Sequence, residues 1–396
     1  MPKIVNDAAS RPALTDSAFH AGDPYPHYRE WRRDSPLFWD EHGEFWVVTR
    51  HADIVSMSSD PQRFCSKKGI LPADVERGVA EHTSIIFMDP PRHRGFRKLV
   101  QPGLAMRRIA DLEPWIRQMT RELLNEMPSE GPVEFVEALA IPLPIWVIAR
   151  LLGIPAKDHE KFRVWSDAAI DAATKITSDN AILLAEMINY LAVYIERRRS
   201  DPGNDLISAL VGADVDGQQL HDQELVMFCL TLLVAGNETT RNLLSAGALA
   251  LSTHPTERRA LAADPSGIPV AVEEMLRWES PIVSFMRTAT QDLELRGQKI
   301  RAGERLLMVY AAANRDEEVF GEDAERFVPT RHPNPHLTFG IGEHFCLGAN
   351  LARLEARICF EELLSRHPDF ELCGEPQRLQ STLVRGLTEL PLSFGS

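Results

Sequence analysis

The sequence predicts a mainly α-helical protein with small β-sheets, an α+β chain in which helices dominate. Three observations predict this. Apolar residues recur at helical spacing through most of the chain, only two short stretches alternate around a turn dipeptide, and no Gly/Ser-rich or Pro-rich linker splits the pattern. No internal repeat is present either, so residues 1–396 are expected to form one domain, with residues 1–20 as a flexible N-terminal segment.

The strands come first. Phe38 to Arg50 alternates aromatic and β-branched residues around His42-Gly43, which predicts a hairpin, and Asp292 to Leu307 does the same around Arg296-Gly297. Helical spacing covers Ile109 to Met127, Ile182 to Arg199, Asp222 to Ser252 and Ile268 to Trp278, with Asp201-Pro202 and His254-Pro255 as stops. The stretch from Asp222 to Ser252, about 31 residues, makes a rod of roughly 46 Å at helical rise, long enough to run through the middle of the molecule. It is apolar almost all round, yet its centre reads Ala235-Gly236-Asn237-Glu238-Thr239-Thr240. Polar groups in a buried helix need partners or a task.

Composition narrows the function. Of 396 residues, 44% are hydrophobic and 25% charged, which is globular, and the net charge of −14 argues against a molecule-wide grip on nucleic acid or anionic lipid. The polar N-terminus has no apolar run of the signal-peptide kind, and the apolar stretches Leu139 to Ile154 and Val226 to Ala235 are too short or interrupted to span a bilayer, so a cytoplasmic protein without a membrane anchor is expected. Five scattered cysteines without a C-x-x-C pair fit a reducing compartment.

The strongest local signal runs from Phe339 through Gly340, Gly342, His344, Cys346 and Gly348. Alternate glycines allow a tight loop, and the series Leu347, Leu351, Leu354, Ile358 starts a helix directly after Cys346. A thiolate at a helix N-terminus is expected to have a lowered pKa and to be able to ligate a metal, while Gly348 keeps a side chain off the face that a flat ligand would approach. The residues Glu274 and Arg277 stand three apart on one helix face, and His93 and Arg97 stand four apart on another.

This loop resembles the haem-binding loop of the cytochrome P-450 superfamily, matching Phe-x-x-Gly-x-(His/Arg)-x-Cys-x-Gly at every defined position. Three further motifs follow in family order, so the resemblance extends over nearly the whole chain. It implies the cytochrome P-450 fold, with the long central helix over haem b, and Cys346 as the axial thiolate ligand of the iron. Phe339, Gly340 and Gly348 belong to that loop. Glu274-x-x-Arg277 is similar to the family's Glu-x-x-Arg, implied to lock the scaffold with an arginine between Asp323 and Phe327, assigned to Arg326. The central-helix motif resembles (Ala/Gly)-Gly-x-(Asp/Glu)-Thr-Thr, which places Ala235 beside the haem, Thr239 as a hydrogen-bonding group at the oxygen site and Glu238 as a proton relay. Glu238 stands where relatives often carry Asp. His93, Arg97, Arg287 and His344 are implied to hold the haem propionates.

The resemblance implies a monooxygenase that hydroxylates a hydrophobic steroid, terpenoid or lipid-like molecule with O2. Two electrons must come from outside, because no flavin, nicotinamide or iron–sulfur fingerprint is present. A ferredoxin with its ferredoxin reductase is the expected donor, docking on Arg92, Arg94, Lys98, Arg107, Arg108 and Arg353 where they do not face haem. A monomer is expected. Ile70, Leu71, Thr231, Val234, Ile282, Val283, Leu383 and Val384 are carried over as pocket walls. Alternative readings are a peroxide-driven peroxygenase, which Thr239 and Glu238 argue against, a noncatalytic haem sensor, and a thiol hydrolase with His344 as base.

Overall fold

The computed structural model describes residues 12–76, 84–128, 131–174, 177–215 and 217–394. The long helix expected from the apolar run spans Asp222–Thr253, 32 residues or about 48 Å. The Glu224 carboxylate accepts the His221 backbone N–H at 3.0 Å and caps its start, and His254-Pro255 ends it. Leu225, Phe228, Leu233, Leu243 and Leu251 bury it in the largest apolar cluster of the molecule. Met227, Thr231, Val234, Ala235, Glu238 and Thr239 share the opposite face and alone among positions 225–240, with Leu232 and Gly236, keep accessible surface. Against this central helix pack the helices Ile268–Glu279 and Ala349–Arg366.

The main sheet has five strands in the order Leu37–Asp40, Phe45–Val48, Arg305–Val309, Ser284–Ala289, Phe64–Cys65. The first hairpin forms as expected, with Phe38 opposite Val47. Phe45–Val48 then pairs in parallel with the strand at Arg305, and the others pair antiparallel. The second hairpin pairs Leu293–Leu295 with Gln298–Ile300 through Arg296 and Gly297, both at positive φ (49° and 74°), the paired left-handed turn that Gly favours.

The N-terminal segment departs from expectation. Residues 1–11 lie outside the described residues, but Ser17–Ala21 is a helix, Leu14 and His20 are each 3% exposed, and His20 Nε2 bonds the Leu14 carbonyl at 2.8 Å. Apolar burial against Tyr28 and Trp31 fixes the later half of the segment that its polar composition marked as flexible. Among the described residues no helix is long and apolar enough to cross a membrane.

Candidate functional site

The cysteine loop closes on itself through the Cys346 N–H, which donates to the Phe339 carbonyl at 2.8 Å. Gly340 and Gly342 turn it at φ 66° and 73°. At Gly342 a Cβ would stand 2.4 Å from the Ser58 carbonyl oxygen, so only glycine fits both the backbone and the neighbour. Phe339 is half-buried under the Arg353 guanidinium, 4.5 Å from its ring centre, and Arg353 also grips Glu273 at 2.7 and 2.8 Å.

Cys346 is accessible, while the other core cysteines, Cys65, Cys229 and Cys359, are buried. Burial pushes the Cys229 thiol up to about 12, so it behaves as a small hydrophobe. For Cys346 the expected lowering of the thiol pKa is overturned: loss of water around a sulfur ringed by protein raises it, against the Gly348 and Ala349 N–H groups, Arg97 and Arg353, which favour the thiolate. The residue keeps an open side, yet enough protein surrounds the sulfur for desolvation to dominate over the helix N-terminus. A Cβ on Gly348 would stand 3.9 Å from Sγ with no other neighbour that close, so this glycine leaves the thiol's open side clear.

Beside the loop the structure gathers His93, Arg97, Arg287 and His344. His93 sits on the helix Arg92–Val100 and is 1% exposed, with its ring 4.2 Å from that of His344. Arg97 donates to the Glu343 carbonyl at 2.9 Å, and Arg287, 6% exposed, to the Met286 carbonyl at 2.7 Å. Neither guanidinium has a carboxylate partner within ion-pair distance among the described residues, and His93 Nδ1 is buried without a hydrogen-bond partner. Burial, then Arg287, His93 and Arg97, push His344 down to about 2. Burial and Arg97 likewise lower His93. Two guanidiniums without carboxylate partners beside two imidazoles, one with an orphaned buried ring nitrogen, fit a ligand bearing two carboxylates.

On the central helix, the Thr239 hydroxyl donates to the Ala235 carbonyl one turn back, at 2.7 Å. Glu238, Thr239 and Ala235 share the accessible face. Thr231 lies two turns earlier on that face and donates to the Met227 carbonyl at 2.7 Å. Ser84, which sequence reasoning missed, bonds Thr231 at 3.0 Å, a contact across 147 positions that no local pattern encodes.

Behind the loop, Glu274 and Arg277 form a fully buried bidentate pair, with Nε–Oε2 and Nη2–Oε1 both 2.7 Å. The third arginine is not Arg326. That residue contributes only its carbonyl, 2.8 Å from Arg277 Nη2, whereas the Arg331 guanidinium reaches Glu274 at 3.2 Å and Asp323 at 2.9 Å. The chain turns after Phe327, so the guanidinium four residues further on is the one that points inward.

Among the pocket-wall candidates, Leu71, Thr231, Val234, Ile282 and Leu383 keep accessible surface. Val283 is corrected: at 1% exposed it belongs to the buried cluster of Tyr25, Tyr28 and Phe38, not to a wall. Ile70 at 3% and Val384 at 8% are also closed in. Ile70 accepts the Met286 N–H, and Val384 bridges Ile282. The basic stretch is less free than its composition suggests. Arg92 pairs with Glu224 at 2.9 Å, Arg94 with Glu343 and Arg353 with Glu273, which leaves Lys98, Arg107 and Arg108 without an ion pair among the described residues.

The fold and this site define a haem-thiolate protein of the oxygenase type. The chain belongs to the cytochrome P450 family: the family profile "Cytochrome P450" matches residues 151–264 and 268–387. Its relatives include a vitamin D(3) 25-hydroxylase of Pseudonocardia autotrophica, 38% identical over 382 residues and covering 94% of each chain. A methyl-branched lipid omega-hydroxylase of Mycobacterium tuberculosis is 38% identical over 383 residues, covering 92% of this chain and 89% of its own. The solved structure of CYP109E1 from Bacillus megaterium in complex with testosterone superposes at a TM-score of 0.87, with 36% identity over 95% of this chain and 100% of that one. The protein is thus a P450 oxidoreductase that uses haem held by a cysteine thiolate.

Proposed function

We propose that Cys346 is the thiolate that binds the haem iron, and that the enzyme inserts one oxygen atom of O2 into a hydrophobic molecule of steroid or lipid type, residues 1–396 acting as one domain. The observation that carries this is the accessible Cys346 thiol beside two guanidiniums, Arg97 and Arg287, without carboxylate partners among the described residues, and the buried, unpartnered His93 Nδ1. When bound, haem supplies the reductive activation of O2, with the second oxygen atom leaving as water. His93, Arg97, Arg287 and His344 would hold the two propionates, the two guanidiniums supplying the positive charge and the two imidazoles hydrogen bonds. The Gly348 and Ala349 N–H groups hold negative charge on the sulfur and temper its donor strength.

Thr239 donates its one hydroxyl hydrogen to the Ala235 carbonyl and so keeps its lone pairs to accept a hydrogen bond from an O–H group or water at the accessible face, beside Glu238 as the proton relay. The Met227-to-Thr239 face and Leu71, Ile282 and Leu383 exclude water and orient the substrate by apolar burial. The names of the similar proteins, a vitamin D(3) 25-hydroxylase, a methyl-branched lipid omega-hydroxylase and a structure in complex with testosterone, support this class. Electrons arrive from a ferredoxin and its reductase, steered to Lys98, Arg107 and Arg108. Product formation from a steroid and a branched fatty acid with reductant, ferredoxin, reductase and O2 tests the reading. Turnover with hydrogen peroxide and none with the electron-transfer chain would reverse it in favour of a peroxygenase.

A further inference from the structure

We propose that the Ser84–Thr231 hydroxyl pair is a polar subsite offering only hydrogen-bond acceptors, and that it selects substrates bearing a hydroxyl over the corresponding ketones. The inference rests on the reading that the accessible face of the central helix borders the substrate.

The direction of the bonds follows from counting hydrogens. Thr231 Oγ1 lies 2.7 Å from the Met227 carbonyl, which can only accept, so the single threonine hydroxyl hydrogen is committed there. Ser84 Oγ lies 3.0 Å from Thr231 Oγ1. Between these two oxygens the serine must therefore donate, and its only hydrogen is spent as well. Ser84 Oγ has no further partner among the described residues. What remains is two lone pairs on Ser84 and one on Thr231, with no free donor.

The pair stands in apolar surroundings. Thr231 shares its accessible face with Met227, Val234 and Ala235, and Ile85 and Ile86 follow Ser84 in the chain, Ile86 being 37% exposed. An alcohol entering here donates to a waiting lone pair. A ketone sets its own lone pairs against them, or must break the Ser84–Thr231 bond to obtain a hydrogen. In an apolar wall an unmatched polar contact is costly, so one bond suffices to sort the two classes.

The test uses matched rigid pairs that differ only in one oxygen function, 5α-androstan-17β-ol against 5α-androstan-17-one and 2-decalol against 2-decalone, with dissociation constants from equilibrium dialysis on the haem-loaded protein. The native protein is expected to hold the alcohols about threefold to tenfold more tightly, the worth of one neutral hydrogen bond. Thr231→Val keeps the branched shape but frees the Ser84 hydrogen, so the ratio is expected to swing toward the ketones. Ser84→Ala leaves Thr231 committed to Met227, so the ratio is expected to keep its sign. A hydroxyl pair that merely ties loop to helix would weaken both ligands alike and leave the ratio unmoved. Equal constants in the native protein, no measurable binding of either class, or a ratio that survives Thr231→Val overturns the inference. The reduced carbon monoxide spectrum of the same preparations reports separately on the haem-thiolate reading, so the failure of one is not mistaken for failure of the other.

Discussion

Replacing Glu274 with glutamine removes one charge from a site with almost no access to water. The carboxylate is 0% exposed and accepts five hydrogen bonds closer than 3.3 Å: two from Arg277 at 2.7 Å, one from the Val328 N–H at 2.7 Å, one from Asn334 at 3.0 Å and one from Arg331 at 3.2 Å. Glutamine keeps the shape, but its amide nitrogen then faces donors, and Arg277, itself 0% exposed, loses its buried counter-charge. Breaking a buried pair on one side costs about 3–5 kcal/mol, against a total stability of roughly 5–15 kcal/mol for a folded protein. Equilibrium urea denaturation at pH 7, followed by circular dichroism, should show an unfolding free energy lowered by that amount or a failure to accumulate folded protein. The arginines separate structural roles: Arg331→Ala should fall on the same side at reduced size, whereas Arg326→Ala should stay within about 0.5 kcal/mol, because only its backbone carbonyl takes part. A Glu274→Gln protein of native stability, or Arg326→Ala as damaging as Arg331→Ala, refutes the reasoning.

Arg97→Ala should lower haem retention during gel filtration and leave the apoprotein's circular dichroism unchanged, since its one hydrogen bond among the described residues goes to the Glu343 backbone carbonyl; unchanged haem content would remove Arg97 from the propionate set. Charge reversal at Lys98, Arg107 and Arg108 should slow reduction by an acidic ferredoxin at low salt and flatten the salt dependence of the rate, as stopped-flow measurement would show. Glu273 gives a pH prediction. Burial raises its pKa, but hydrogen bonds from His336 and Arg353 outweigh that and hold the carboxyl at about 2, below its ordinary 4.5. The ionised form therefore favours the folded state above about pH 4.5, and this benefit is lost as pH falls from 4.5 toward 2. Glu273→Gln should be less stable than the native protein at pH 7, and the gap in thermal midpoint should close on acidification; a gap that widens contradicts the assignment.

Much of this architecture is legible in the sequence where spacing alone carries the signal. The central helix, both hairpins and the proline stops follow from periodicity and turn chemistry, and the glycine positions of the cysteine loop announce their backbone. The Glu274–Arg277 pair is visible because both partners lie on one helix face. Arg331 was not, because its distance from Glu274 depends on how the chain turns after Phe327. Ser84 was hidden for the same reason, and Val283 was misplaced because its strand offers two faces and only the packed N-terminal segment decides which is buried. The Cys346 thiol shows a further limit: the helix N-terminus was readable, but the desolvation that outweighs it arises only when the surrounding elements close in.

The proposed bond between Cys346 and haem iron is read directly by the reduced, carbon monoxide-bound absorption spectrum. The native protein should show the strongly red-shifted Soret band of thiolate ligation, and Cys346→Ala should lose that band while Cys373→Ala keeps it. A native protein without the band after haem supplementation, or a Cys346→Ala protein that retains it, contradicts the account.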